Sequence, residues 1–399
     1  MDDDVCAVRR NTDLRRHARE LHRSHDAVLA GGLPAVEPRG VVARSWARMR
    51  DARMDPDRDR LGPPASVNLL EQRRRATPLV GVLDDLRTSL VGVAEQAEHL
   101  MVITDADGML LWRDGCPRVR RRADALGFGD GADWSESAVG TNAIGTALVE
   151  AVSVQLFSAE HYARSLHSWT CTAVPIHDPR TGELLGVVDL SGSAVTAHPT
   201  TVALVGTAVR LAEAHLWRAR EEQLATLRRV AASVLSGVDG SALVVDDDGW
   251  VAAAVGIAPV DRVSVPAEGE LMVVAGLGSC VPERLPGGWL LRPGAGGGVA
   301  PRLHLRTDRY PPEAVIEGTS TWRCPVTVRQ AELLALLIGA GPGGLDAAAL
   351  SVALFGDRAH TVAVRAEISR LRRRLGGVLS ARPYRIASNV RVQHEASPT

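Results

Sequence analysis

Apolar positions along the chain change period several times, and each change marks an element. From Glu71 to about Ala97, Leu79, Val80, Leu83, Leu86, Leu90 and Val93 recur at helical spacing, which predicts one helix. "HLMVITDADGMLLWRDG" then places an Asp/Gly turn between two apolar runs and reads as a hairpin. After the basic "RVRRR", "GADWSESAVGTNAIGTALVEA" predicts a turn-rich entry into an Ala/Leu helix, with Thr141 or Asn142 as its N-cap. Three strand-like runs follow, "VSVQLF", "TCTAVPIHD" and "LLGVVDLSG", and residues 200–235 read as a long helix with Leu224, Leu227, Ala231 and Val234 on one face. "SALVVDDDGWVAAAVG" repeats the strand, Asp/Gly turn, strand pattern, and short strands continue to "PRLHLRTD". From Val326 the pattern is helix, helix, helix, then a short strand or wing at "ARPYRIAS". Residues 11–60 are short polar helices broken by "GGLP" and "DPDRDRLGPP".

A chain of 399 residues exceeds the usual size of one core and predicts two to four domains. No apolar run approaches the roughly 18 residues of a membrane span, and "MDDDVCAVRR" opens with acids where a secretory signal carries bases. These features predict a cytoplasmic protein that does not meet a membrane. The five cysteines are widely spaced and contain no CxxC pair, so reduced thiols are expected rather than a disulfide framework or a zinc knuckle. "GAGGGVA" lacks both the Lys-Ser/Thr of a phosphate loop and the following helix of a dinucleotide fold, and reads as a turn. With no motif for a positioned nucleophile, a metal or a nucleotide cradle, no enzymatic activity, metal or cofactor is expected.

Net charge is only −1, yet residues 321–399 hold 11 Arg against 5 acids. All the basic residues of the chain are Arg, so it is this local surplus that suggests a nucleic-acid-facing end. Laid on a helix, "TVAVRAEISRLRRRLGG" gathers Val364, Ile368, Leu371 and Leu375 into a core stripe. Val362, Ala366, Ser369, Arg370 and Arg373 fall opposite, with Arg365 and Arg372 on one flank and Arg374 on the other. Such a face suits a major groove, where Arg reads guanine bidentately and flanking Arg bind phosphates; a merely solvated charged helix is the alternative. The preceding "VTVRQAELLALLIGAGPGGLDAAALSVALFG" supplies two helices around a Gly/Pro break, and "RPYRI" adds Arg382, Tyr384 and Arg385 on a wing. Over about 70 residues this segment resembles the winged-helix output domain of OmpR-like regulators. The resemblance implies binding of double-stranded DNA through Arg365, Ser369, Arg370, Arg372, Arg373, Arg374, Arg382, Tyr384 and Arg385.

"SWARMRDARMDPDR" from Ser45, "DWSESAVGTNAIGTAL" from Asp133, "EHY" from Glu160 and "WTCTAVPIHDPRTGELLGVVDLSG" from Trp169 together resemble the GAF sensors of acetoin/glycerol-metabolism type regulators. The resemblance covers about residues 40–220. Many such regulators carry an AAA+ ATPase, but this chain has no GxxxxGK[ST], and its arrangement is similar to actinobacterial GAF regulators that end in a winged helix.

The segment 160–179 holds three histidines and Cys171. Strand alternation sends Cys171, Ala173, Pro175 and His177 to one face, and at about 3.3 Å per residue Cys171 and His177 lie about 20 Å apart. They are therefore neither a nucleophile-base pair nor ligands of one metal. Asp178 reads as a turn former, Trp169 as core and Cys171 as a small buried hydrophobe. The resemblance implies instead a pocket between sheet and helices, walled by Trp134, Glu136, Asn142, Glu160, His161 and Cys171, for an unidentified small-molecule effector. Oxidant sensing at Cys171 and haem at His161 or His167 stay as weaker alternatives.

The resulting expectation is an α+β multidomain chain. It comprises a helical lead-in (1–70), a GAF sensor domain (71–220), a connecting helix (221–238), a small PAS-like α/β middle domain (239–320), a C-terminal winged helix-turn-helix (321–390) and a tail (391–399). The function implied is that of a one-component transcriptional regulator, acting as a homodimer on operator DNA with RNA polymerase as a further partner. The alternative is a signalling adaptor whose GAF and winged-helix domains bind proteins and no DNA.

Overall fold

The computed structural model describes residues 4–57, 62–238, 240–257, 260–264, 272–274, 277–293, 302–317, 321–358, 360–375, 378–381, 383–387 and 390–394. The chain divides into two compact units, Met1–Ala219 and Arg220–Thr399, both mixed α/β.

The first unit opens with α1 (Leu14–Leu29), α2 (Gly40–Asp51), α3 (Val67–Ala76) and α4 (Leu83–Gln96). The single helix expected over 71–97 is broken at Thr77-Pro78. Proline brings no backbone N–H and pushes its predecessor to extended backbone, and Thr77 sits at φ −84°, ψ 138°. Then come β1 (His99–Asp105), β2 (Leu110–Gly115), α5 (Pro117–Asp124), α6 (Glu136–Val139), α7 (Ala143–Glu150), β3 (Val154–Phe157), β4 (Trp169–His177), β5 (Leu184–Ser193) and α8 (Thr200–Leu235). The five strands form one antiparallel sheet in the order β2-β1-β5-β4-β3.

Both faces of this sheet are covered, as the apolar runs on β1, β4 and β5 require. Met101, Ile103, Val174, Ile176, Val188 and Leu190 pack with Leu86 and Leu90 of α4 and with Val205, Val209 and Ala212 of α8. On the other face Leu100, Val102, Leu156, Ala173 and Val187 pack with Trp46 of α2, Val119 of α5, and Ala143, Ile144 and Ala147 of α7. Each fully buried Leu, Val or Ile contributes about 1.5–3 kcal/mol. Val41, Val42, Trp46 and Met49 belong to this core. The segment read as a lead-in is thus part of the unit it was expected to precede, because its apolar face covers the sheet. The hairpin turn at Asp178 is as expected, with Oδ1 accepting from the Arg180 and Thr181 amides.

The second unit contains the rest of α8, whose Leu224, Leu227 and Ala231 pack on Ala242, Val244 and Leu290. Its strands are β6 (Ala242–Val245), β7 (Val251–Val255), β8 (Met272–Val274), β9 (Gly278–Cys280), β10 (Glu283–Leu285), β11 (Gly288–Leu291), β12 (Arg302–Arg306), β13 (Glu313–Glu317) and β14 (Thr321–Pro325). Three helices follow, α9 (Val328–Ala340), α10 (Ala347–Phe355) and α11 (Thr361–Leu375), then β15 (Leu379–Ala381), β16 (Tyr384–Ile386) and β17 (Arg391–His394).

Two expected boundaries are corrected here. Strands β12 and β13 pair in one sheet with β14 and β17, in the order β14-β13-β12-β17, so a border at 320/321 would cut a hydrogen-bonded sheet. Leu303, Leu305 and Ile316 share a core with Leu333, Leu334 and Leu337 of α9, Leu350 of α10, and Ile368 and Leu371 of α11. Arg391–His394, expected as tail, is a strand parallel to β12, where its amides and carbonyls find ladder partners.

Candidate functional site

The words "SWARMRD", "WSESAVGTN" and "EHY" are far apart in the chain and meet on the α2 side of the sheet. Ser45 and Arg48 lie on one side of α2, three residues apart and so on neighbouring positions of its surface. Ser45 Oγ donates to Glu136 Oε1 at 2.6 Å, and Arg48 holds the same carboxylate bidentately at 2.8 and 2.8 Å. Thr146 Oγ1 adds a third donor type at 2.8 Å, and Arg48 also reaches Glu150 at 2.8 Å. Just before α2, Arg39 grips Glu160 through Nε (2.7 Å) and Nη2 (2.9 Å), while the Phe157 amide donates to the same carboxylate at 3.0 Å. The Trp46 indole donates to the Glu160 carbonyl at 3.0 Å. Bidentate charge-assisted bonds of this kind satisfy buried carboxylates that would otherwise be costly.

Asn142 is the N-cap of α7, its Oδ1 accepting from the Gly145 amide at 2.9 Å and its Nδ2 donating to the Trp134 and Gly140 carbonyls. The glycines of "GTNAIGT" have specific reasons. Gly140 sits at φ +85°, and a Cβ there would meet Met54 Sδ at 2.9 Å. A Cβ on Gly145 would lie 2.5 Å from the Glu136 amide nitrogen, because α7 crosses the start of α6 there. Gly145→Ala is therefore expected to cost about 1–3 kcal/mol by overpacking, seen as a lower midpoint in thermal unfolding; an unchanged midpoint would contradict this packing.

Histidines gather beside this region without forming a metal centre. His161 is fully buried, with Nδ1 on the Ser158 carbonyl at 2.9 Å and Nε2 without a hydrogen bond; burial lowers its pKa to about 4. The ring of His167 meets those of His22 and His25 edge-on, each 4.7 Å away, and its Nε2 lies 3.2 Å from the His161 carbonyl. Burial, aided by the neighbouring His25, His22 and His161, lowers the His167 pKa to about 3. His25 also bonds the Tyr162 carbonyl at 3.0 Å and packs edge-on against Trp46. Among the described residues no three His, Cys, Asp or Glu side chains gather to hold a metal ion.

The expected pocket residues divide into two sets. Glu136, Asn142 and Glu160 have their polar atoms taken by the protein itself. Trp134 Nε1 and His161 Nε2 are buried without hydrogen-bond partners, the Trp134 ring packing at a tilt on Phe128 with ring centres 4.1 Å apart. Cys171 retains some accessible surface, but its thiol is crowded on all sides, and burial, then Asp189, pushes the thiol well above its usual value. A cleft of about 630 Å3 opens where the end of α2 meets α6, lined by Arg48, Met49, Arg53, Met54, Ser135 and Glu136. Of the six expected residues only Glu136 borders it. Sequence reasoning missed Arg39, Ser45, Trp46 and Arg48, although three of them lie in a quoted motif. It also missed Asp189, whose signal was an acid inside the apolar run "LLGVVDLSG".

In the second unit, Val364, Ile368, Leu371 and Leu375 of α11 are all buried. Val362, Arg365, Ser369 and Arg370 are exposed, Arg370 donating to Glu367 at 2.6 Å. Tyr384 is half-buried on β16. Two arginines among the residues expected to contact DNA are only half-exposed. Arg372 is half-buried, and burial draws its guanidinium below its ordinary pKa. Arg385 donates to the Pro342 carbonyl at 3.1 Å. Arg382 and the side chains of Arg373 and Arg374 lie outside the described residues. No helix among the described residues is long and apolar enough to cross a membrane.

Three relatives are similar to this chain. The "uncharacterized 47.3 kDa protein in thcA 5′region" of Rhodococcus erythropolis is 32% identical over 390 residues, covering 95% of this chain and 72% of that protein. The acetoin dehydrogenase operon transcriptional activator AcoR of Bacillus subtilis is 33% identical over 52% of this chain and 34% of its own length. The propane 2-monooxygenase operon transcriptional activator MimR of Mycolicibacterium goodii is 31% identical over 47% of this chain and 32% of its own length. The matched region thus spans about a third of each named activator. Residues 12–213, which carry the α2 clamp, the five-stranded sheet and the buried histidines, match the family described as MimR, N-terminal domain, and the chain belongs to that family.

Proposed function

We propose that this chain is a one-component, DNA-binding transcriptional regulator, with a small-molecule sensor of GAF type in the first unit and a winged-helix DNA reader in the second. The observation that carries the reading is the division of labour on α11. Its apolar stripe is consumed in the core while Val362, Arg365, Ser369 and Arg370 stay exposed. The two preceding helices and the β15/β16 hairpin are the parts a winged helix needs. Operon activators among the relatives of the first unit support the same reading. Arg365 and Arg370 would contact base edges or phosphates, and Val362 a thymine methyl. Any control by an effector requires that it bind two states of the regulator unequally. A homodimer acting in the cytoplasm beside RNA polymerase completes the proposal.

Chromatin precipitation of the full chain identifies its DNA, and fluorescence anisotropy on those fragments tests the reader. Arg365→Ala or Arg370→Ala is expected to weaken specific binding by about 1–3 kcal/mol if the side chain reads a base. If it contacts phosphate, the variant instead reduces the salt slope by about one. Affinity without salt dependence, equal in variants and wild type, would favour the adaptor reading. Calorimetry against aldehydes, diols, ketones and phenolics tests the sensor, and silence across the panel would leave an interaction-only domain.

A further inference from the structure

The sheet face that packs against α7 carries Arg113 on its edge strand β2, held by Asp124 and Asp130, and a second polar group in mid-sheet. Cross-strand register sets Leu100 beside Ser191, Val102 beside Asp189 and Thr104 beside Val187; on the other side of β5 it sets Cys171 beside Ser191 and Ala173 beside Asp189. Residues two apart on a strand share a face, so Thr104, Asp189, Ser191 and Cys171 lie on the same face as Val102, Ala173 and Val187. Thr104 and Asp189 are diagonal neighbours across β1 and β5, within about 7–8 Å, and Cys171 stands in the same relation to Asp189 across β4 and β5.

Thr104, Asp189 and Ser191 are each 0% exposed. Ser191 Oγ donates to Asp189 Oδ2, but Asp189 Oδ1 and Thr104 Oγ1 have no hydrogen-bond partner. A buried polar atom left unsatisfied costs about 1–3 kcal/mol, and native cores hold few of them. Two such atoms on adjacent strands, in the middle of a sheet, are a local breach of an otherwise consistent core, and such breaches concentrate where function demands them. The groups brought to this core by α7, Ala143, Ile144 and Ala147, present no polar atom of their own side chains.

The chemistry of the island selects its guest. Burial pushes the Asp189 carboxyl up to about 7, against the opposing hydrogen bonds from Ser191 and from the Thr172 backbone. An anion would meet a carboxyl, and the arginines of this region are committed elsewhere, Arg39 to Glu160, Arg48 to Glu136 and Glu150, and Arg113, across β1 on the same face, to Asp124 and Asp130. A hydroxyl both donates and accepts, and so matches the unpartnered carboxyl oxygen and the unpartnered Thr104 hydroxyl together.

We propose that Thr104, Asp189 and Ser191 form a recognition site, on the inner face of the sheet, for a hydroxyl group of a small uncharged molecule. This rests on the sensor reading above and adds to it the ligand class and the residues that choose it. The test uses the full chain with propane-1,2-diol, propan-2-ol and acetone, which share a three-carbon skeleton and carry two, one and no hydroxyl groups. Calorimetry and thermal shift are expected to show the two alcohols binding at least about tenfold tighter than acetone, because a site built for a hydroxyl rejects the analogue lacking it. Thr104→Val and Asp189→Asn are expected to erase that preference while the midpoint without probe stays the same or rises. Arg365→Ala, in the other unit, should leave it intact. Failure of both alcohols to bind the wild-type chain overturns the inference. So does binding of all three probes with equal affinity, or an alcohol preference that survives in both variants alongside a lowered midpoint, which would make the island structural. In each case the sensor reading is judged separately by the wider panel of aldehydes, ketones and phenolics, and binding there without dependence on Asp189 would keep that reading and discard this one.

Discussion

Replacing Arg39 by methionine is expected to lower the stability of the first unit by about 3–5 kcal/mol, the usual cost of removing one partner from a buried ion pair. The side chain of Glu160 is 4% exposed and that of Arg39 16%, so the carboxylate left behind cannot recover its water. It would keep one hydrogen bond, from the Phe157 amide, and lose both guanidinium donors. The Asp4 and Gln155 carbonyls lose a donor as well. Methionine retains much of the aliphatic stem, which isolates the charge from the packing. Urea denaturation of the full chain measures the loss, and the double variant Arg39→Met/Glu160→Gln should regain a large part of it by removing the stranded charge. A loss below about 1 kcal/mol, the range of exposed pairs, would mean that water reaches the pair.

The second large effect is expected on acidification. An unfolded histidine takes up its proton near pH 6.5, whereas His161 resists until about pH 4 and His167 until about pH 3. Because these folded values lie below the unfolded one, the stability the two residues confer is complete above pH 6.5. It is lost as pH falls from there towards the folded values. For His161 the loss reaches about 3 kcal/mol, at 1.36 kcal/mol per unit. Asp189 acts in the opposite sense: its carboxyl titrates near 7 in the folded chain, so its contribution is fully present below its ordinary value and is lost as pH rises through 7. Wild-type stability between pH 7 and 4 is the sum of these opposed slopes. Variants separate them. His161→Asn should shrink the acid loss by about 3 kcal/mol, and Asp189→Asn should enlarge it, both read from urea midpoints at pH 7 and pH 4. Identical pH dependence in wild type and His161→Asn would contradict a neutral, enclosed imidazole.

The parts legible in the sequence were those set by local periodicity. Alternation along 169–177 placed Cys171 and Ala173 on one face and Val174 and Ile176 on the other, and those pairs join separate cores. Helical spacing identified the stripe Val364, Ile368, Leu371 and Leu375, and the N-cap at Asn142 was one of two alternatives read from the residue types. A period and a cap are properties of a few consecutive residues, so the string of residues carries them complete.

What the tertiary structure decided was partnership. The resemblance placed Glu136 and Glu160 in a pocket wall, yet Arg48, 88 residues away, and Arg39, 121 residues away, hold their carboxylates. The terminal strand Arg391–His394 belongs to a sheet only because β12 offers it an edge. Asp189 is unusual only once both neighbouring strands and α7 have closed over it, leaving one oxygen without a partner. By itself the sequence determined most of the strands and helices and which face of each is apolar, since those depend on neighbours within a turn or a pleat. Which polar groups are satisfied, and which are left without a partner, depends on residues brought together from far along the chain, and that only the folded arrangement decides.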